Sequence, residues 1–391
     1  MTKRVTYLDN AATTPVRPEV LEAMLPYLGK EAFGNPSSAH RFGRAARAGI
    51  EEAKRAVATA VGAEPNQVVF TSGGTEADNL AIIGAALAAR DRGGPFRVAV
   101  SATEHKAALA AAHAVKHLGG EEVILPVTAS GQIERAALDT VLERGVAVVS
   151  VMWVNNEVGT VQPVADLAAR CCDAGVLFHS DAVQAFGKVP VSLRDVNCTF
   201  LTISGHKIGA PKGVGALIVR DRKAVEAIIH GGGQQFGIRP GTENVPGIVG
   251  LGVAARLAAE EQQGLATRLG ELRDELERRL VAIVPDALIN GWQGARAPHI
   301  SNVSIPGTDS EALLMHLDLA GIACSSGSAC STGTVEPSHV LTAMHVPREL
   351  GVAALRFSFG MDSTLEDVAA VAAALPKIVE KVRSLSAVLH R

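Results

Sequence analysis

The sequence predicts an α/β protein built on a mostly parallel seven-stranded sheet, followed by a smaller α+β unit. Seven short β-rich runs lie between about residues 67 and 219: "QVVF" (67–70), "RVAVS" (97–101), "EVILP" (122–126), "VAVVSVM" (146–152), "GVLFHS" (175–180), "CTFLTIS" (198–204) and "GALIV" (215–219). Helical stretches such as 75–92 and 163–174 separate the first five. Strands that alternate with helices and are apolar throughout belong to a parallel sheet covered on both faces. The chain has 391 residues, 47% of them hydrophobic, which is ample for a large core and points to two domains.

The later elements follow in order. After "ENVPG" (243–247), Leu265, Leu269, Leu272, Leu276 and Leu280 recur at helical spacing, one apolar face that predicts core or interdomain packing. In residues 285–391, "ISNVSI" (300–305) and "ALRFSFG" (354–360) read as strands, and 309–319 and 364–388 as helices. There is no repeat of fixed period.

Several classes of function are excluded. A net charge of −3 and a pI near 6.5 leave no basic footprint for nucleic acid. The longest apolar runs, 81–89 and 146–154, fall short of the ~20 residues a membrane span needs, and the N-terminus lacks the apolar stretch of a signal peptide. The expectation is a soluble cytoplasmic protein. Five cysteines do not make a disulfide framework, and neither the adjacent Cys171 and Cys172 nor the pair Cys324 and Cys330 has zinc spacing, so no metal is expected. Cys171, Cys172 and Cys198 read as buried structural residues.

Three stretches carry chemistry. "VVFTSGGTEADNLAI" (68–82) takes a strand through Ser-Gly-Gly-Thr into a helix. Small residues at a helix start leave backbone N–H groups open to an anion, which suits a phosphate, although an ordinary turn capped by Thr75 fits as well. In "FHSDAVQAFGK" (178–188), Asp181 sits at the carboxyl edge of a buried strand, where α/β sheets bind ligands. There it can hold a protonated ring nitrogen or cap a helix. Gln184 can donate to a ring oxygen. In "TISGHKIGAPKGVGAL" (202–217), Lys207 follows a strand end. Desolvation there lowers an amine's pKa and suits it to Schiff-base chemistry, the competing reading being a solvated lysine. Lys212, five residues later, is expected to be exposed or structural. Pyridoxal phosphate requires such a lysine, an acidic partner for its ring nitrogen and a phosphate cup.

With these residues in view, the chain resembles the cysteine desulfurases of the NifS/IscS-like group, in the class V aminotransferase branch of fold-type I pyridoxal phosphate enzymes. The resemblance spans nearly the whole chain. It rests on "YLDNAATTP" (7–15), "NPSSAH" (35–40), "TSGGTEADN" (71–79), "TEHKA" (103–107), "VNNEVGTVQP" (154–163), "HSDAVQAFGK" (179–188), "SGHKIGAPKGVGAL" (204–217), "RPGTENV" (239–245) and "GIACSSGSACSTGTVEPSHVL" (321–341). It implies a large cofactor-binding domain over 15–258 and a small domain formed by 1–14 and 259–391. It also implies pyridoxal 5'-phosphate as cofactor, joined to Lys207, with Asp181 on the pyridine nitrogen and Gln184 on the phenolic oxygen. His105 would stack on the ring and handle protons. Gly74, Thr75, Ser204 and His206 would hold the phosphate, and Thr242 would reach the phosphate of a neighbouring subunit, which implies a homodimer. Arg356 would clamp the substrate carboxylate, with Asn156 and Asn35 beside it.

By the same resemblance Cys330 is the nucleophile. The chain would convert L-cysteine to L-alanine and carry the sulfur as a persulfide to an acceptor, for iron–sulfur cluster assembly or tRNA thiolation. A Gly/Ser-rich loop at about 321–334 suits that task, since five extended residues reach roughly 17 Å and let one thiol visit two places. The thiol must react as thiolate, and His105 is the expected neighbouring base. Cys324 reads as small apolar filler at the root of the loop, with a resolving thiol or second sulfur acceptor as the other reading. A selenocysteine lyase or another class V aminotransferase is the alternative, although an aminotransferase needs neither Cys330 nor its loop.

Overall fold

The computed structural model describes residues 5–326 and 336–389. The chain opens with strand β1 (Thr6–Tyr7) and helices α1 (Pro18–Leu28) and α2 (Arg41–Val61). Then β2 (Val68–Thr71), α3 (Gly74–Asp91), β3 (Arg97–Ser101), α4 (Lys106–His117), β4 (Glu121–Leu125), α5 (Arg135–Arg144), β5 (Val148–Ser150), α6 (Val164–Asp173) and β6 (Leu177–Asp181) alternate. Strands β7 (Phe200–Ser204) and β8 (Gly215–Val219) follow, and then the long helix α7 (Val245–Ile283). The remainder is β9 (Leu288–Ile289), β10 (Ile300–Ser304), α8 (Ser310–Leu319), β11 (Ile322–Ala323), α9 (His339–Ala343), α10 (Arg348–Gly351), β12 (Ala354–Ser358) and α11 (Leu365–Leu389).

Strands β2 to β8 form one seven-stranded sheet in the order 2-8-7-6-5-3-4. Its neighbours pair in parallel except for β8, which runs antiparallel to both β2 and β7. The reason is local. A parallel return needs a crossover of a dozen or more residues, and β7 reaches β8 through 205–214 with only a 3₁₀ turn and no α-helix. Apart from the edge strand β4, the strands are buried on both faces with a period of two. Ala216 and Ile218 join the core shared with α2, α6 and α7, whereas Leu217 and Val219 pack with α3 and α4.

A second core gathers Leu8, the α7 residues Leu269, Leu272, Leu276 and Leu280, Phe357 of β12 and Val371 of α11. The leucine stripe is thus buried along its length, with Leu265 half-buried at its start. β10 pairs with β12 and β9 in a small antiparallel sheet, and β1 pairs in parallel with β11. The N-terminal segment therefore belongs to the same corner as the chain's last third. No helix among the described residues is long and apolar enough to cross a membrane.

Candidate active site

Parallel strands bring their carboxyl ends to one edge, and whatever follows them lines a common crevice. Here β2 delivers Gly74 and Thr75, β3 delivers His105, β5 delivers Met152 and Asn156, β6 ends in Asp181 with Gln184 beyond, and β7 ends in Ser204 with His206 and Lys207 beyond. All of them line one cavity of about 380 Å³, closed by Ala11, Ala12, Ser325 and Arg356. The cavity holds most of the residues singled out from sequence.

Lys207 ends a 3₁₀ turn, Gly205–Lys207, and its Nζ donates to the carbonyls of Ala11 at 2.5 Å and Ala12 at 2.7 Å. Burial pushes its amine down from 10.5 to about 8; Arg356 adds to the fall, while Asp181 and Asp9 oppose it. Asp181 is buried, and its Oδ1 accepts from the Val183 N–H at 2.8 Å. Burial raises its carboxyl, against the pull of His105 and Lys207. Lys212 is exposed.

The phosphate-type cradle also stands on observation. Gly73 caps α3 with no side-chain acceptor, so the first N–H groups of the helix stay open to an anion. A Cβ on Gly74 would sit 3.0 Å from Val183 Cγ2 and 3.6 Å from Ser204 Cβ, filling the space in front of them. His206 Nδ1 lies 3.1 Å from Thr13 Oγ1. An open helix start, a desolvated amine and a buried carboxylate around one cavity fit a phosphorylated pyridine aldehyde.

His105 caps α4, its Nδ1 accepting from the Ala107 N–H at 3.2 Å. Burial lowers its pKa, so the ring is neutral with its proton on Nε2, and it presents a donor to the cavity. Arg356 donates from Nη1 to the Asn156 carbonyl at 2.9 Å and from Nη2 to Asp9 at 2.7 Å. Its backbone pairs with Ser325, at the root of the cysteine loop.

Two expected residues are not in the cavity, and a third falls outside the described residues. Asn35 is exposed, its Oδ1 accepting from the Ser37 N–H in a turn before α2. Thr242 is exposed on the loop before α7. Cys330 lies outside the described residues. Cys324 packs against the second core, and burial pushes its thiol up to about 12. Cys171 and Cys198 are buried as expected, but Cys172 is exposed, because adjacent residues on α6 point to different sides.

Sequence reasoning missed four features. Asp9, in "YLDNAATTP", pairs with Arg356. Asp78 lines the cavity from the second turn of α3 and is buried, as is Glu104, and burial together with Asp181 raises both carboxyls well above the usual range. Buried His179 sits against Asp78 at 3.6 Å and bonds Ser150 and Thr202. Arg239 holds Glu76 at 2.7 Å, which ties the "RPGTEN" loop to the start of α3. The acids were visible in "TEAD" and "TEHK", but nothing local said they turn inward.

Comparison with known proteins agrees with this geometry. The family described as "Aminotransferase class-V" matches residues 6–371. The chain is 44% identical to "Cysteine desulfurase IscS" of Dictyoglomus turgidum over 384 residues, 98% of this chain and 97% of that one. It is 47% identical to "Cysteine desulfurase" of Cereibacter sphaeroides over 382 residues, 97% of each. A solved "NIFS-LIKE PROTEIN" superposes with a TM-score of 0.87 at 33% identity, covering 98% of this chain and 99% of that one. The chain therefore belongs to the class V aminotransferase family, among its cysteine desulfurases.

Proposed function

We propose that this protein is a pyridoxal phosphate-dependent cysteine desulfurase. It takes L-cysteine to L-alanine and keeps the sulfur as a persulfide on Cys330. The observation that carries this reading is the convergence of Lys207, Asp181 and the open start of α3 on one cavity of about 380 Å³. When bound, the cofactor supplies an electron sink for the pair released at the substrate Cα. Lys207, with its amine held near 8, takes the Cα proton and returns it. Asp181 would keep a negative charge against the ring nitrogen, and Gln184 and the His105 Nε2–H would present donors to the cofactor. Gly74, Thr75, Ser204 and His206 would hold the phosphate, completed by Thr242 of a second copy.

Arg356 binds the substrate carboxylate with Asn156 beside it. Its Nη1 and Nη2 are already oriented by the Asn156 carbonyl and Asp9, so a carboxylate meets a guanidinium whose rotamer is set. The Cys330 thiolate attacks the substrate sulfur. An S–S bond forms, the C–S bond breaks, and the released carbon takes a proton to give alanine, so that L-cysteine and one thiol become alanine and one persulfide with no outside oxidant. The persulfide then passes to a sulfur acceptor for iron–sulfur cluster assembly or tRNA thiolation.

We read the molecule as a homodimer. Exposed Asn35 and Thr242 lie outside their own cavity, and exposed Leu21, Leu25 and Leu28 on α1 leave apolar surface to cover, both of which support that reading. The division into 15–258 and the paired segments 1–14 and 259–391 is supported by the second core, which joins Leu8 to residues beyond 268. The cytoplasm is the compartment we propose.

The test is to incubate the holoenzyme with L-cysteine and assay alanine and sulfide, with L-selenocysteine in parallel. The parent is expected to release both products, and Cys330→Ala to keep the cofactor band while losing persulfide transfer. Persulfide transfer retained in Cys330→Ala would move the nucleophile elsewhere, and transamination products would favour an aminotransferase.

A further inference from the structure

Gln184 is expected to face the cofactor's phenolic oxygen, and its amide can present either an N–H or a carbonyl there. Two buried neighbours decide which. Gln184 Nε2 lies 2.8 Å from the Ala11 carbonyl, an acceptor with no proton to give. That carbonyl also accepts from Lys207 Nζ. The nitrogen of Gln184 must therefore point at Ala11, and its oxygen must point the other way. There it meets His299 Nε2 at 3.3 Å.

His299 precedes β10, is 2% exposed, and is anchored through its carbonyl by the Phe359 N–H at 2.9 Å. Its Nδ1 is buried with no hydrogen-bond partner among the described residues. Four cations disfavour a charge on the ring: Lys188 beyond β6, Arg356 on β12, Arg273 on α7 and Lys207 beyond β7. With burial they hold the imidazole neutral, so it has one proton. Since Gln184 Oε1 can only accept, that proton sits on Nε2 and the bare nitrogen is the orphaned Nδ1.

We propose that His299 is a positioning residue: an obligate neutral donor that locks the Gln184 amide so that its second N–H faces the cofactor's oxygen. The orphaned Nδ1 is the cost of that arrangement. A hydrogen bond to an anionic oxygen favours the more negative protonation state of the cofactor–lysine linkage. Through Gln184, His299 lowers the pH at which bound cofactor titrates.

This inference rests on the cofactor reading above, and its test separates the two. The holoenzyme's visible band is titrated against pH, and cofactor dissociation is measured, for the parent, His299→Leu, His299→Asn, His299→Gln and each with Gln184→Ala. Leucine removes the donor, and asparagine is too short to reach Gln184. Both are expected to raise the band's pKa by about half to one unit and loosen the cofactor about three- to tenfold, the range for one lost hydrogen bond. Glutamine, which reaches as far as Nε2, is expected to restore the parent values. In the Gln184→Ala background the His299 changes are expected to have no further effect.

An unchanged titration in both donor-less variants overturns the inference, as does the same shift persisting without Gln184. Failure of the glutamine rescue overturns it too. A parent protein that develops no visible band with pyridoxal phosphate instead overturns the cofactor reading beneath it.

Discussion

The lowered pKa of Lys207 has a direct kinetic consequence. Only the neutral amine attacks an aldehyde. An ordinary lysine near 10.5 is neutral at pH 7 in only about 0.03% of molecules. Held at about 8 by burial and by Arg356, Lys207 is neutral in about a tenth of them. The site therefore makes the amine about 300-fold more available at pH 7. The perturbation is pH, from 6 to 10, applied to protein stripped of its cofactor. Stopped-flow absorbance follows covalent capture of added pyridoxal phosphate, with N-acetyl-lysine amide as the reference amine, so that the cofactor's own ionisations cancel. The ratio of the two rates is expected to be about 300 below pH 8 and to fall tenfold per unit above it. Arg356→Gln, which removes the cation that helps hold the amine down, is expected to raise the amine's pKa and slow capture at pH 7. Lys207→Ala should show no covalent capture. A ratio independent of pH would refute the reasoning, because Lys207 would then titrate like a free lysine.

Asp181→Asn is expected to lower alanine formation on the order of 10²- to 10³-fold, since a neutral amide cannot hold a charged ring nitrogen; steady-state assay of alanine checks this. Arg356→Lys should raise KM for L-cysteine about ten- to a hundredfold with a smaller change in kcat, because a point charge replaces a fork already oriented by Asp9 and Asn156. Gly74→Val should weaken cofactor retention in equilibrium dialysis, because even its Cβ would crowd Val183 and Ser204 at the cradle. Leu276→Ala, at a fully buried position of α7, should cost about 2–5 kcal/mol in the unfolding of the second core, read by denaturant titration.

The site's parts were legible because each lies beside a strand end in sequence, and a parallel sheet sends all such ends to one edge. That rule places Thr75, His105, Asp181, Ser204 and Lys207 together before any coordinate is known. It does not reach Asp9, whose partner Arg356 is 347 residues away, nor His299, which meets Gln184 across 115 residues. Nor does it say that the acids of "TEAD" and "TEHK" are buried, because burial depends on what packs over them.

Local pattern determined the seven strands of the large sheet with β10 and β12, the leucine face of α7 and the phosphate-type helix start, since each follows from spacing within a dozen residues; it missed the two-residue strands β1, β9 and β11. Helices α1 and α2 were not among the expected elements. The buried face of α2 mixes small residues that allow a close helix contact, Gly43, Ala46, Gly49 and Ala53, with Ile50, Val57 and Val61 at helical spacing, a pattern the sequence does carry. The reversed direction of β8 came from the path of its short link, which no strand propensity encodes. What tertiary structure alone decided was protonation: which carboxyls are buried together, which amine is desolvated, and which nitrogen of each histidine carries its proton. Those depend on the charges and dipoles within a few ångströms, and folding chooses those neighbours from distant parts of the chain.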